Sequence, residues 1–205
     1  MLVPSRTAKP PWVERVGQRN VWSVNTTRVA GLVGSLQKDS ANSAIMRSAI
    51  KTAAPSLSIA VFSSLAQVPL FNADLAGDDE AAPPAVRALR KAIASANGVL
   101  ISTPEYGHSL PGALKNALDW LVGSGELANK RVAAISASPT PTGGLRALTA
   151  LVQTLLAQHA DVIALLPIAA IRTALDESGE VADVVVQRRI AETVAALADP
   201  PALMS

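Results

Sequence analysis

The sequence predicts an α/β fold, a parallel sheet covered by helices on both faces, and two observations carry that expectation. Short apolar runs alternate with stretches of helical spacing along most of the 205 residues. Three of the apolar runs end in loops rich in Gly, Pro, hydroxyls and amides, and each loop leads into a helix. Strands that alternate with helices pair in parallel and bury both sheet faces. The length suits one domain with a substantial core. Hydrophobic residues make up 49% of the chain and aromatics only 3%, so Ala, Val, Leu and Ile must fill that core.

Val29–Val33, with Gly31 inside it, reads as the first strand. A helix follows over Ser43–Ala54, with Ile45, Ala49 and Ala53 on one face, and stops before Pro55. Leu57–Phe62 fits a second strand. Residues 66–82 form a loop holding Pro69, Asn72, Asp74, Gly77 and the acids Asp78, Asp79 and Glu80. Pro84 opens the next helix, with Val86, Leu89 and Ile93 inward and Arg87, Arg90 and Lys91 outward. Val99–Ile101 is the third strand. The following helix begins near Pro111, with Leu114, Leu118 and Leu121 on one face, and Lys115 and Asp119 spaced for a surface ion pair. Val132–Ile135, a helix over 145–158, a strand at Val162–Leu166 and a helix over 183–197 complete the pattern.

The three polar loops fall at the carboxyl ends of their strands, where open α/β sheets bind ligands. In the first, Gly34, Ser35, Gln37, Ser40 and Asn42 offer donors at a helix N-terminus, a setting for a phosphate. No Gly-Lys-Ser/Thr closes a Walker A loop, and Gly31-x-x-Gly34 is not a full GxGxxG; a plain strand-to-helix turn remains the other reading. In the second, Pro104 stiffens a turn from which Glu105 and Tyr106 project, and Gly107 admits close approach. The third runs Ser136-Ala-Ser-Pro-Thr-Pro-Thr-Gly-Gly144.

Composition removes several classes of function. The chain has no cysteine, which excludes disulfides, thiolate metal sites, Fe–S clusters and a catalytic thiol. Redox chemistry would then need a bound cofactor. No apolar run is long enough to span a bilayer, and the start lacks the apolar segment of a secretory signal, so a cytoplasmic location is expected. Arg6, Lys9, Arg15, Arg19 and Arg28 stand against Glu14 near the start, leaving 13 basic and 15 acidic side chains from totals of 18 and 16. Nucleic acid is therefore not expected as a partner of the domain. Residues 1–26 read as a disordered basic extension, 27–198 as the domain and 199–205 as a tail. Trp12 and Trp22 keep open an arm that reaches a partner.

The loop residues resemble the NADPH-dependent FMN reductase family of flavodoxin-like flavoproteins. Gly34-Ser-Leu-Gln-Lys-Asp-Ser-Ala-Asn42 is similar to its phosphate loop. Thr103-Pro-Glu-Tyr-Gly-His-Ser-Leu-Pro-Gly-Ala-Leu-Lys-Asn-Ala-Leu-Asp-Trp120 is similar to its longest motif. Ser138–Gly144 with Arg146 resembles its Gly-rich loop, and Leu175-Asp-Glu-Ser-Gly-Glu180 its late acidic turn. The resemblance covers roughly residues 27–198. It implies a three-layer sandwich with a five-stranded parallel sheet of order 2-1-3-4-5. It implies FMN held by Ser35, Gln37, Ser40 and Asn42 at the phosphate, by Pro104, Glu105, Tyr106 and Gly107 at the ring, and by Ser138, Gly143 and Gly144. NADPH or NADH would be the donor and a quinone, azo compound or similar small molecule the acceptor. Two departures stand out: Gln37 replaces the usual arginine, and Gly107-His108 replaces the usual Asn-Gly.

No catalytic side chain is certain, because the flavin would do the chemistry. His108 and Arg146 are candidates on the substrate side; a solvated loop histidine and a surface arginine are the other readings. His159, near a helix end, reads as structural. Trp120 reads as a core or interface residue. With Leu121 and its helix it would form the interface of a homodimer or homotetramer. The alternative function is a flavin-binding or electron-carrier protein without enzymatic activity, and a flavin-free interaction module is a third class. A short-chain dehydrogenase fails on its Tyr-x-x-x-Lys requirement, since Leu110 follows Tyr106 at that spacing.

Overall fold

Strands and helices alternate along the computed structural model, which describes residues 26–76 and 81–198. The elements are β1 (Thr27–Val33), α1 (Ala41–Thr52), β2 (Leu57–Val61), α2 (Pro84–Ala94), β3 (Gly98–Thr103), α3 (Gly112–Val122), β4 (Arg131–Ala137), α4 (Leu145–Leu156), β5 (Asp161–Ile168) and α5 (Val184–Ala195). The expected basic extension, Thr26 apart, and the expected tail lie outside the described residues, as does the acidic run Asp78–Glu80.

All four strand pairings are parallel and the order is β2-β1-β3-β4-β5, as the resemblance implied. The loops after all five strands therefore open on one edge of the sheet. Side-chain alternation along the central strands divides the core into two layers. Ala30, Leu32, Val99, Ile101, Val132 and Ala134 face α2, α3 and α4. Val29, Leu100, Ala133, Ile135 and Ala137 face α1 and α5. Gly31 lets α1 lie close on β1, because a Cβ there would meet the Met46 sulfur at 3.1 Å. Among the described residues, no helix is long and apolar enough to cross a membrane.

Three expectations need correction. Arg90 points inward, at 5% exposure, although the spacing put it outside. Its guanidinium donates to the carbonyls of Ala76 (2.9 Å) and Trp120 (3.2 Å) and lies beside Glu126, so acceptors on neighbouring segments draw it in from the border of the apolar stripe. Trp120 and Leu121 cannot form the predicted oligomer face, since both are fully buried within the protomer. The segment after β2 folds over the indole: Trp120 Nε1 donates to the Pro69 carbonyl at 2.9 Å, and Phe71 packs edge-on at 5.3 Å. Finally, α1 starts two residues before the predicted Ser43, because the Ser40 hydroxyl accepts from the Ser43 amide and caps the helix.

The late acidic turn fastens α5's approach to α1. Asp176 accepts from the Ser178 hydroxyl and from the Ser178 and Glu180 amides, which shapes the turn. Glu180 then reaches Lys51 at 2.9 Å and Arg47 at 2.5 Å. The Lys51 ammonium and then the Arg47 guanidinium hold the Glu180 carboxyl below its ordinary range. A carboxyl depressed in the folded state contributes stability above its unfolded pKa and loses it as pH falls through the folded value. Urea unfolding of Glu180→Gln should therefore show a deficit against the parent at pH 7 that begins to narrow as pH falls below about 4 and goes on narrowing in stronger acid; a deficit that does not change with acid would assign the loss to packing.

Candidate functional site

The first loop leaves β1 at Gly34, where a close approach forbids a side chain: a Cβ would stand 2.8 Å from the Thr103 hydroxyl at the end of β3. Beyond it, Ser35 accepts from the Gln37 amide at 3.3 Å, which turns the loop back toward α1. The Ala41 and Asn42 amides begin α1, where no preceding helical carbonyl can accept from them. With the positive end of the helix dipole, they make an anion-seeking corner. Asn42 is 3% exposed and committed to the protein. Its side-chain amide donates to the Ala137 carbonyl at 3.3 Å, and its own carbonyls take the Ser102 hydroxyl at 3.0 and 3.1 Å. Asn42 thus positions the loop, while its backbone amide stays at the helix tip.

A cavity of about 340 Å³ opens here, within the range of small-molecule sites. Ser35, Gln37, Ser40 and Asn42 of the first loop line it together with Pro104 and Tyr106 of the second. These six predicted residues are brought together as expected. Asp39, Ala137, Pro139 and Leu175, which lie in the quoted loop motifs without an assigned site role, also line it, as do Ile171 and Arg172, which the sequence did not single out. Ile171, Arg172 and Leu175 follow β5, whose carboxyl end lies on the same sheet edge, so the edge rule itself pointed there. A second cavity of about 410 Å³ lies against the other flank of the first loop, sharing Ser35 and Gln37 and taking Lys38 and Arg47 on its rim.

Glu105, Gly107, Ser138, Gly143 and Gly144 do not line the candidate cavity. Gly144, at φ +80°, could carry no Cβ without striking the Ser136 hydroxyl, and a Cβ on Gly143 would stand 2.8 Å from the Ala169 nitrogen. Both glycines answer close packing of the third loop on β4 and the end of β5. Ser138 is buried, accepts from the Thr140 amide, and takes the Ile171 amide on its carbonyl. Gly107 and His108 adopt φ of 55° and 61° in the tight turn closed between Tyr106 and Ser109.

Glu105 has a role that its own loop does not reveal. Its side chain is 7% exposed and accepts from the Arg146 amide at 3.1 Å, in the first turn of α4. The N-cap of α4 is Gly144, which has no side chain to offer, so Glu105 caps the helix from the second loop. The Arg146 guanidinium lies 3.7 Å from the same carboxylate and 2.5 Å from His108 Nδ1. His108, Glu105 and Arg146 therefore form one cluster beside Tyr106, which is 54% exposed. His159 takes a left-handed turn after α4 and accepts from the Asn129 amide through its carbonyl, in keeping with the structural reading. Lys115 and Asp119 make the expected surface pair at 2.6 Å. Among the described residues, no group of three or more His, Asp or Glu could hold a metal.

Residues 27–172 match the family model described as NADPH-dependent FMN reductase. A quinone reductase of Escherichia coli strain K12 is 41% identical over 121 residues, 58% of this chain and 64% of that protein. The chain thus spans less than two thirds of that relative. An NAD(P)H-dependent FMN reductase of Pseudomonas aeruginosa is 38% identical over 130 residues, 62% of this chain and 69% of that protein. Among solved structures, the flavoenzyme NAD(P)H:(acceptor) oxidoreductase of Paracoccus denitrificans superposes with a TM-score of 0.70 at 32% identity, covering 84% of this chain and 98% of that one.

Replacing Glu105 by Ala should cost about 0.5–2 kcal/mol of stability through the lost cap, and Glu105→Gln, which keeps an acceptor, should cost less. Urea denaturation of the two variants measures both.

Proposed function

The chain belongs to the NADPH-dependent FMN reductase family, and from that premise we propose that it binds FMN in the Ser35–Arg172 cavity and reduces a quinone or similar small acceptor at the expense of NAD(P)H. The observation that carries this reading is the single cavity shared by an anion-seeking helix tip and the Pro104–Tyr106 wall. That pairing suits a ligand with a phosphate at one end and a flat ring at the other. Gly34 lets the first loop leave β1 packed tightly on Thr103 and Leu114.

In this reading Ser35, Gln37, Ser40 and the Ala41 and Asn42 amides hold the phosphate. Asn42, Ser102 and the Ala137 carbonyl keep the loop in place before the ligand arrives, which lowers the cost of binding. Pro104 and Tyr106 face the ring. When bound, FMN supplies the electron transfer between nicotinamide and acceptor. The protein's part is to orient both partners on one open face. His108 and Arg146 stand on that substrate side. Arg146 donates to His108 Nδ1, which leaves the Nε2 proton of the imidazole free to donate outward. Glu105 keeps both in position. A cytoplasmic location belongs to the same reading.

A homodimer or homotetramer also belongs to it. With Trp120 and Leu121 buried, the exposed Val122 of α3 and Leu145 and Leu156 of α4 are the apolar groups left on the helices nearest the second and third loops. Light scattering at micromolar protein should give a multiple of 21.1 kDa; a stable monomer refutes the assembly.

The purified protein should be yellow and release FMN on heating, and anaerobic NADPH or NADH should bleach it, with a quinone restoring the colour. Stoichiometric FAD, or no binding of FMN at tens of micromolar, rejects the cofactor. A flavin that binds but is bleached by neither nicotinamide supports an electron carrier instead.

A further inference from the structure

Gln37 gives the first loop a hydrogen-bonding group but no charge, and the structure sets a cation across the cavity from it. Among the described residues lining the cavity, Arg172 is the one cation and Asp39 the one anion at neutral pH. Lys38, next to Gln37, lines the neighbouring cavity. Arg47, also on that side, is held by Glu180 at 2.5 Å. Arg172 is exposed and has no ion pair or side-chain hydrogen bond among the described residues.

Its base is fixed. The short 3-10 turn Ile171–Ala174 follows β5, Ile171 is 1% exposed, and its amide donates to the Ser138 carbonyl at 3.3 Å. The guanidinium thus hangs from a packed support over an open cavity.

The electrostatics ask for such a group. A phosphate monoester carries roughly −1.5 to −2 charges at neutral pH. The hydroxyls are neutral and a helix N-terminus supplies only about half a positive charge. Asp39, immediately before the cap Ser40, opposes a dianion at the same place. Without Arg172 the charged side chains of the cavity would sum to a repulsive field.

We propose that Arg172, reaching in from the end of β5, is the cation that binds the phosphate of the flavin nucleotide and does the work that Gln37 cannot. The inference rests on the FMN reading. A guanidinium also offers a planar fork that suits phosphate oxygens, which an ammonium does not.

The test uses the full-length chain stripped of flavin and titrated with FMN and with riboflavin, read by flavin fluorescence. Riboflavin has the same ring and no phosphate. Arg172→Ala and Arg172→Gln should each weaken FMN by about tenfold or more and leave riboflavin unchanged, with the loss shrinking as salt rises. Gln37→Arg placed in the Arg172→Ala chain should recover FMN affinity and not riboflavin affinity. Equal losses for both ligands would overturn the assignment and place Arg172 at the ring or in the fold, a distinction checked by the melting temperature. Unchanged FMN affinity with a raised KM for NADPH would also overturn it, and would move the cation to the dinucleotide. A parent chain that binds neither flavin would reject the FMN reading itself, together with this inference.

Discussion

A buried asparagine holds the site together. Asn42 joins three strand ends: it starts the helix after β1, shares the Ser102 hydroxyl of β3, and donates to the Ala137 carbonyl that ends β4. Buried polar groups are costly unless paired, and each partner here satisfies another. The central strands therefore cannot slide relative to the first loop without exposing several unpaired groups at once. The cavity is preformed by that constraint.

A second set of contacts does the same on the β4 side. Ser136 donates to the Thr103 carbonyl at 2.8 Å, locking the ends of β3 and β4, and Gly144 packs against that hydroxyl. Glu105 crosses from the second loop to cap α4. Loops two and three are in effect one unit, and Arg146 and His108 inherit their positions from it. The loop after β5 joins through Ile171 and Ser138. Rigid supports under a polar rim suit the proposed orienting of two small substrates.

Much of this was legible in the chain. Apolar runs and helical spacing placed every strand and α-helix within a few residues, because β3 and β4 are buried on both faces and their sequences carry little but core residues. The first-loop residues and the Pro104–Tyr106 turn were legible because Gly, Pro, Ser and Asn there have few other uses. The rest depends on contacts between distant segments. Arg90 turns inward for carbonyls contributed by Ala76 and Trp120, which no local pattern contains. Trp120 is sealed by a loop some fifty positions earlier. Gly143 and Gly144 look like ligand-approach glycines, yet Ser136 and the backbone after Ile168 explain them. Arg172 carried no motif, and only its place after the last strand brings it to the cavity.

Tyr106 is the one tyrosine in the chain, and it stands 54% exposed on the cavity wall. The protein consequently carries its own single-position label. A reagent that nitrates phenols would place its one nitrotyrosine on this wall. A ligand lying in the cavity would shield the phenol from that reagent, so at a fixed state of assembly occupancy can be read by mass, without turnover.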